Sequence, residues 1–414
     1  MFGTFLPFIF SKKSYCIPEI DFSAYKYDVI LSFFNSINLI FRKNKMKFTA
    51  DLLYAAGESN ADMRYISGFV AHDAHHWFRV NDRSVLLLSP LEYNRAMHSR
   101  KPGVELQCTT EYHAANTVEL TLAIARENQI SAFRVPASFP LGLADKLRAA
   151  GIEVLPVDGD FFPDRAFKSD DEVRQITDAL RLTENAVRKA FTILSDASVD
   201  AQDRLIWQGE VLTSEKLRRE IDLVILDGGG IPSGTIAAAG RQSAEPHNIG
   251  SGAIYAHTPI VMDVFPKIAS TGYCGDLTRT VVKGKAPEIV AKAYAAVKEA
   301  RDRSRDKMVI GANPAEIHKF AQSVLESHGF HTGKNDQGDF GFFHGLGHGV
   351  GIDIHENPRV SPRNTIAFRG GEVITCEPGL YYPEWGGIRL EDMVHVTPSG
   401  PVNLTELDDF LVIE

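Results

Sequence analysis

The chain has 414 residues, a formal net charge of −9 and 44% hydrophobic residues. This length accommodates two domains, each large enough to bury a complete core. The negative charge argues against a general nucleic-acid or membrane-surface binder, because such proteins normally present a basic face, and no membrane span is expected without a run of roughly 18 apolar residues.

Residues 1–45 differ in composition from the rest of the chain. They hold eight of the 25 phenylalanines, and their apolar stretch 5–10 precedes two lysines. A secretory signal has the opposite order, with basic residues first. We therefore expect this segment to be an atypical extension outside the fold, with the functional protein starting near Met46; a genuine amino-terminal extension is the alternative.

Strand and helix patterns alternate over residues 46–165, which we predict to form the first domain. The predicted strands are 50–57, 83–90, 131–136 and 152–157, and the predicted helices are 91–100, 118–128 and 141–151. This alternation is typical of an α/β domain with a mixed sheet flanked by helices. No glycine-rich phosphate motif accompanies it, so nucleotide binding is not indicated.

A local cluster of polar residues interrupts this pattern. His72, Asp73, His75 and His76 lie in a predicted loop next to Trp77. A second metal site is conceivable there, although the cluster has no fixed ligand spacing.

The second domain is predicted to cover residues 166–414 and to open with a long helix. Ser169 and Glu172 form a capping box, and apolar residues follow it at helical spacing. A further helix is predicted from Thr213 or Ser214 to Ile221, then a flexible turn at the glycines 228–230. Two more amphipathic helices are predicted at 287–304 and 314–329.

Two histidines lie in a glycine-rich stretch near the carboxyl end. His344 and His348 alternate with four glycines in residues 344–351. Glycines in a helix interior cost about 1 kcal/mol each, so an extended backbone is predicted rather than a helical pair of zinc ligands. The glycines also allow a close approach of the backbone to another group.

Four carboxylates stand on strand-like runs that fold into two predicted hairpins. Asp263 and Asp276 are 13 residues apart, and Glu377 and Glu391 are 14 apart. Alternation places Arg389 on the same face as Glu391 and turns Cys376 away from the face of Glu377. If the runs pair, each hairpin offers two carboxylates at one place.

Four converging carboxylates could not all stay ionised without cations, because like charges raise one another's pKa. With His348 they form an oxygen-rich set suited to two divalent ions roughly 3.5 to 4 Å apart. Mn(II) fits these ligands better than metals that prefer thiolates do.

These residues, embedded in the motifs GYCGDLTRT, HGLGHGVGIDIHE, EPGLY and IRLED, resemble the pita-bread metallopeptidases of the Xaa-Pro aminopeptidase and Xaa-Pro dipeptidase (prolidase) type. The resemblance covers roughly residues 46–414. It implies an α/β amino-terminal domain followed by an α+β pita-bread catalytic domain. One departure is visible, since the spacing between Asp263 and Asp276 exceeds the usual one by two residues, which enlarges the turn at 266–270.

The resemblance also implies roles for individual residues. His348 and Glu377 would bind one metal ion, Asp263 the other, and Asp276 and Glu391 would bridge both. Glu377 would also act as the general base. The pocket would be lined by His247, His344 and His355, with Arg389 fixing the network around Glu391, receiving a substrate carboxylate or serving only as a counter-charge. The two divalent ions are expected to be Mn(II), with Co(II), Zn(II) or Fe(II) as alternatives.

The expected substrates are small peptides with proline at the second position. Aminopeptidase and dipeptidase activity remain open, because both use these residues. Methionine aminopeptidases lack the first domain, creatinase-like hydrolases lack the metal ligands, and a catalytically inactive peptide- or protein-binding module is the alternative from another class.

A homodimer is expected from the resemblance, with the cluster at 72–76 reaching a neighbouring subunit. Four widely spaced cysteines without a CxxC pair favour a reducing, cytoplasmic compartment.

Overall fold

The computed structural model describes residues 48–336 and 338–414. The predicted extension at 1–45 and the predicted start at Met46 lie outside the described residues. None of the helices in the described ranges is long and apolar enough to cross a membrane.

The amino-terminal half contains a six-stranded sheet with four helices. Its strands are β1 (Phe48–Ala55), β2 (His75–Val80), β3 (Arg83–Leu88), β4 (Val104–Cys108), β5 (Ile130–Pro136) and β6 (Glu153–Val157), and its helices are α1 (Ala61–Ser67), α2 (Pro90–Ala96), α3 (Thr117–Glu127) and α4 (Leu141–Ala149). The strand order is β4-β3-β2-β1-β5-β6. Strand β2 runs antiparallel to β1 and β3, whereas the other neighbours are parallel.

Both faces of this sheet are covered. Trp77 and Phe78 are adjacent in β2 and therefore point to opposite faces, and each belongs to a different buried apolar cluster. The predicted mixed sheet flanked by helices is confirmed.

The prediction that His72, Asp73, His75 and His76 share a loop is wrong. His75 and His76 begin strand β2 and are buried, with His76 Nε2 2.9 Å from Thr121 Oγ1. Burial lowers the pKa of His76 to about 3, so this imidazole is neutral. Alternation separates the two rings, and the four side chains form no group of metal ligands among the described residues.

The carboxyl-terminal half combines four helices with several small sheets. Its helices are α5 (Asp170–Asp196), α6 (Ser214–Asp227), α7 (Glu288–Arg305) and α8 (Pro314–Ser327). Its strands are β7 (Ser198–Val199), β8 (Leu205–Trp207), β9 (Glu210–Val211), β10 (Gly230–Ile231), β11 (Ile236–Ala239), β12 (Ile260–Val264), β13 (Lys267–Ile268), β14 (Leu277–Lys283), β15 (Gly333–Asn335), β16 (Gly338–Phe340), β17 (Gly347–Gly349), β18 (Glu356–Val360), β19 (Val373–Cys376), β20 (Gly379–Tyr382), β21 (Gly386–Arg389), β22 (Asp392–Thr397), β23 (Gly400–Asn403) and β24 (Val412–Ile413).

Helix α5 begins at the predicted capping box. Ser169 is the N-cap and accepts from the Glu172 amide, while the Glu172 carboxylate accepts from the Ser169 amide at 2.9 Å. The two donors that the box satisfies would otherwise be exposed at the helix end. The boundary between the domains near residue 165 stays a prediction.

Helix α6 is longer than the sequence predicts, because it runs to Asp227 rather than ending at Ile221. Ile225 continues the buried apolar face of the helix, and its burial stabilises the last turn. The predicted turn is present at Gly228 and Gly229, where Gly229 has a φ of +77°, and Gly230 begins β10. The flexibility of this turn stays a prediction.

Two sheets carry the catalytic half, and each packs on one pair of helices. The order β11-β12-β14-β24 describes the first sheet, and β18-β17-β19-β22-β23 the second. Apolar residues of α5 and α6 pack on the first sheet, and those of α7 and α8 on the second. The two sheets adjoin where the Glu391 amide, just before β22, donates to the Thr278 carbonyl in β14, which positions the candidate site.

Candidate metal centre

The four predicted carboxylates lie at equivalent places in two antiparallel strand pairs. Asp263 is in β12 opposite Thr278, and Asp276 directly precedes β14. Glu377 follows β19 and Glu391 precedes β22, where Cys376 lies opposite Asp392. The predicted pairing of both hairpins is confirmed. The Glu391 amide donates to the Thr278 carbonyl at 3.1 Å, which joins the two hairpins at the site.

The strand that carries His348 explains the glycines around it. A Cβ on Gly347 would lie 1.9 Å from the Thr375 carbonyl oxygen, and one on Gly349 would lie 2.4 Å from that of Asn357. Only glycine lets β17 fit between its two neighbours at this distance. The predicted extended backbone with close approach is confirmed, and it brings His348 between the hairpins.

Three of the five predicted metal ligands come together closely. Ligand atoms of Asp276, His348 and Glu391 all lie within 4.8 Å of one another. Glu377 adjoins them, since its Oε1 is 3.4 Å from His348 Nε2. All five, including Asp263, line one cavity of about 990 Å³.

Asp263 differs from the others in its partner. Its Oδ2 accepts from Arg389 Nη2 at 2.6 Å, whereas its Oδ1 is buried and has no hydrogen-bond partner among the described residues. A buried carboxylate oxygen without a partner is costly, and a cation would satisfy it. The donor set of carboxylates and one imidazole therefore fits divalent metal ions.

The electrostatics of the cluster point in the same direction. Burial, followed by the charges of Glu391, Asp263 and Glu377, raises the pKa of Asp276 well above its ordinary value. Burial and the neighbouring Glu377 and Asp263 raise the pKa of Glu391 well above its ordinary value. Burial also raises the pKa of Glu377 to about 7. Positive charge between these groups would remove the repulsion.

His348 is prepared as a neutral ligand. Burial lowers the pKa of its imidazole to about 3. Its Nδ1 lies 3.2 Å from the Gly349 carbonyl oxygen, to which it can donate. This contact leaves Nε2 free to face Asp276 and Glu377, as a metal-binding histidine requires.

Arg389 is buried and fully engaged by the protein. Besides Asp263, it donates to Thr278 Oγ1 at 3.2 Å, to the Pro246 carbonyl at 3.2 Å and to the Tyr381 hydroxyl at 2.9 Å. An arginine held at four points is suited to fixing its neighbours rather than to binding a mobile substrate. The geometry favours the network role among the three interpretations of this residue.

The three predicted pocket histidines all line the cavity. His344 Nε2 lies 3.0 Å from the Tyr381 hydroxyl, and its Nδ1 is 2.7 Å from the Gly345 carbonyl oxygen. The ring of His355 packs edge-on against that of His348, with 4.4 Å between centroids. His247 and His355 are exposed, so both can reach a bound molecule.

Sequence reasoning missed two further residues of the cavity. Tyr381 connects Arg389 to His344 through its hydroxyl, and period-2 alternation from Glu377 could have indicated its direction. Arg359 lines the cavity, is exposed and has no ion-pair partner among residues 48–336 and 338–414. A lone arginine in the motif HENPR carried no signal of its own.

Comparison with known proteins identifies the family of this chain. The sequence pattern described as metallopeptidase family M24 matches residues 174–398. The chain belongs to metallopeptidase family M24. This family depends on divalent metals, so the chain is a metallopeptidase, and the cluster around Asp276 is its candidate metal site.

Relatives within the family extend the match to both halves. A Xaa-Pro dipeptidase of Pyrococcus horikoshii is 28% identical over 376 residues, which cover 85% of this chain and 92% of that protein. A Xaa-Pro dipeptidase of Pyrococcus furiosus is 32% identical over 244 residues, covering 57% of this chain and 68% of that protein.

Solved structures agree on the fold. The prolidase from Pyrococcus horikoshii superimposes with a TM-score of 0.73 and 25% identity, covering 93% of this chain and 99% of that one. An X-Pro aminopeptidase from Thermotoga maritima gives a TM-score of 0.75 at 20% identity, covering 90% of this chain and 100% of that one. The predicted fold class, an α/β domain followed by a pita-bread catalytic domain, is confirmed.

Proposed function

We propose that this chain is a dinuclear-metal peptidase that cleaves the bond between an amino-terminal residue and a following proline. The observation that carries the proposal is the convergence of Asp276, His348 and Glu391 beside the partnerless oxygen of Asp263. The two Xaa-Pro dipeptidases, 28% and 32% identical to this chain, support the proline specificity. A catalytically inactive binding module is not favoured, because buried carboxylates this close together repel one another unless metal ions lie between them.

The metal ligands in this proposal are the five residues predicted from the sequence. His348 and Glu377 would hold one ion and Asp263 the other, with Asp276 and Glu391 contributing to both. When bound, the ions supply polarisation of the scissile carbonyl and lower the pKa of a water molecule. The oxygen-rich donor set favours Mn(II) over metals that prefer thiolates.

Side chains of the protein accept and donate the protons of the reaction. Glu377 accepts the proton of the attacking water, a role typically worth about 10²- to 10⁴-fold in rate. His355, exposed beside His348, delivers a proton to the proline nitrogen as it leaves. His247 donates a hydrogen bond to the carbonyl oxygen as it gains charge. His344 lines the pocket with both of its ring nitrogens hydrogen-bonded within the protein.

Arg359 favours dipeptides among the proline-containing substrates. Its exposed guanidinium lines the same cavity as the metal ligands and has no carboxylate partner among the described residues. A dipeptide places the carboxylate of its proline close to the scissile bond, where such a cation can bind it. Xaa-Pro aminopeptidase activity on longer peptides is the second candidate.

A substrate and metal panel tests the proposed activity. We expect the metal-free protein to be inactive, Mn(II) to restore hydrolysis of Xaa-Pro, and Xaa-Ala controls to stay intact. Co(II), Zn(II) and Fe(II) are added in parallel, and hydrolysis is followed by release of free proline. Activity that survives complete chelation would contradict the proposal.

We expect Arg359→Ala to lower kcat/KM for Xaa-Pro about 10- to 100-fold, because a hydrogen bond to a charged group contributes roughly 1.5–3 kcal/mol. The loss should appear mainly in KM and should vanish with Xaa-Pro amides, which lack the carboxylate. Arg363→Ala is the matched control, since Arg363 is exposed nearby but does not line the cavity. Equal losses on acid and amide substrates would exclude carboxylate binding by Arg359.

The homodimer and the cytoplasmic location stay predictions. Sedimentation analysis of the purified protein tests the first.

A further inference from the structure

The turn between Asp263 and Asp276 is held from outside the catalytic half of the chain. Arg64, in helix α1 of the amino-terminal half, donates from Nη2 to the carbonyl oxygens of Ala269 at 3.0 Å and Ser270 at 2.8 Å. These carbonyls belong to the turn 266–275, for which the sequence resemblance predicts an enlargement. This turn thus has a partner in the amino-terminal half.

The turn is shaped to receive this arginine. Gly272 has a φ of +82°, which favours glycine, and a Cβ there would lie 2.2 Å from Arg64 Nε, so a side chain at this position would displace the guanidinium. Its amide donates to the Ile268 carbonyl at 2.8 Å, which closes the turn. The next residue, Tyr273, donates its hydroxyl proton to Glu172 at 2.8 Å.

Arg64 itself is an unusual buried cation. Only 7% of its surface is exposed, and it forms no ion pair with a carboxylate in the described ranges. Burial lowers the pKa of its guanidinium. Burying a cation against carbonyl oxygens alone is costly, so this contact fixes a geometry rather than adding much stability.

The same helix reaches the other side of the metal site. Asp62 accepts from Arg165 Nη1 at 2.7 Å, and Arg165 also binds Asp353 at 2.9 Å in the loop that follows His348. The two loops are joined directly, because the Cys274 amide donates to the Gly351 carbonyl at 2.9 Å. Helix α1 therefore contacts the turn before Asp276 directly, and it is linked to the loop after His348 through Arg165.

We propose that Arg64 is a positioning residue of the metal site, through which the amino-terminal domain fixes the turn 266–275 and thereby the carboxylate of Asp276. The proposal rests on the proposed role of Asp276 as a ligand. Without Arg64, the long turn samples more conformations. Metal binding must then order Asp276, and the entropy lost in doing so weakens the binding.

The test measures metal binding rather than activity. Metal-free protein is titrated with Mn(II) by calorimetry, and amide hydrogen exchange is followed over residues 266–275. We expect Arg64→Ala to weaken Mn(II) binding about 10-fold, at the lower end of the range for direct partners of metal ligands, because Arg64 acts on Asp276 through the turn. Faster exchange in the turn should accompany it, and Arg64→Lys, with its single point charge, should fall between.

Arg95→Ala is the matched control. Arg95 also lies in the amino-terminal half and donates to a backbone carbonyl, that of Val70 at 2.7 Å, but it has no hydrogen bond or ion pair to the described residues of the catalytic half. Its Mn(II) affinity should equal that of the unchanged protein. An equal loss in Arg95→Ala, or unchanged affinity in Arg64→Ala, would overturn the proposal.

Two additional measurements keep the result decisive. If circular dichroism shows that Arg64→Ala does not fold, Arg64→Lys takes its place against the same control. Asp276→Asn is titrated in parallel: if it keeps its Mn(II) affinity, the proposed metal site fails, whereas a loss there with unchanged Arg64→Ala rejects only the positioning role.

Discussion

Asp276→Asn is expected to lose peptidase activity and to bind Mn(II) at least about 100-fold more weakly. Even outer partners of metal ligands typically account for about 10- to 100-fold in affinity, so a bridging ligand should account for more. Asp276 is buried, its ligand oxygen lies within 4.8 Å of those of His348 and Glu391, and asparagine keeps its shape but removes the negative charge. Hydrolysis of Xaa-Pro and calorimetric titration of the metal-free protein measure the two effects.

The same substitution should not destabilise the metal-free protein. Asp276 lies beside three other acidic side chains, so removing its charge relieves repulsion. Chemical denaturation in the presence of a chelator should therefore give a midpoint equal to or above that of the unchanged chain. Asp227→Asn, at the exposed end of helix α6, is the control with normal activity and metal binding. An active Asp276→Asn enzyme would refute the ligand assignment.

The ribbon geometry of the site was predictable because its determinants are local. Alternation fixed the directions of Glu377 and Glu391, and turn-forming residues between them fixed the pairing, which the structure confirms. The glycines around His348 likewise predicted an extended strand, for which the carbonyls of Thr375 and Asn357 leave no room for a Cβ. The capping box at Ser169 fixed the start of helix α5.

The wrong prediction at 75–76 and the missed contacts depend on residues that are far apart in the sequence. The histidines at 75 and 76 look polar in sequence, yet a strand buries them because Thr121, 45 residues away, satisfies His76. The site contacts of Tyr381 with His344 and Arg389 combine residues from separate strands, so no single motif contains them. The contact of Arg64 with Ser270 spans 206 positions, and spacing within a motif cannot reveal such a pair.

A buried ion-pair network lies directly behind the metal site. Asp392, the neighbour of Glu391, accepts from Arg279 Nη2 at 3.0 Å and from Arg305 Nη1 at 2.9 Å, and it lies 3.2 Å from Arg301 Nε. Arg279 also donates to the Glu391 carbonyl at 2.6 Å. The network therefore holds β22 against β14 where a proposed ligand directly precedes each strand.

We expect Asp392→Asn to lower the free energy of unfolding by about 3–5 kcal/mol, because removing one partner leaves a buried charge uncompensated. Asp392 and Arg279 each expose only 3% of the side chain, so water cannot replace the lost carboxylate charge. Denaturation with urea, followed by circular dichroism, measures the loss. Glu299→Gln removes a carboxylate that pairs with Arg303 while 40% exposed, and it should cost at most about 1 kcal/mol. Equal losses in the two variants would mean that burial does not control the strength of these ion pairs, and that the Asp392 network does not hold the two strands together.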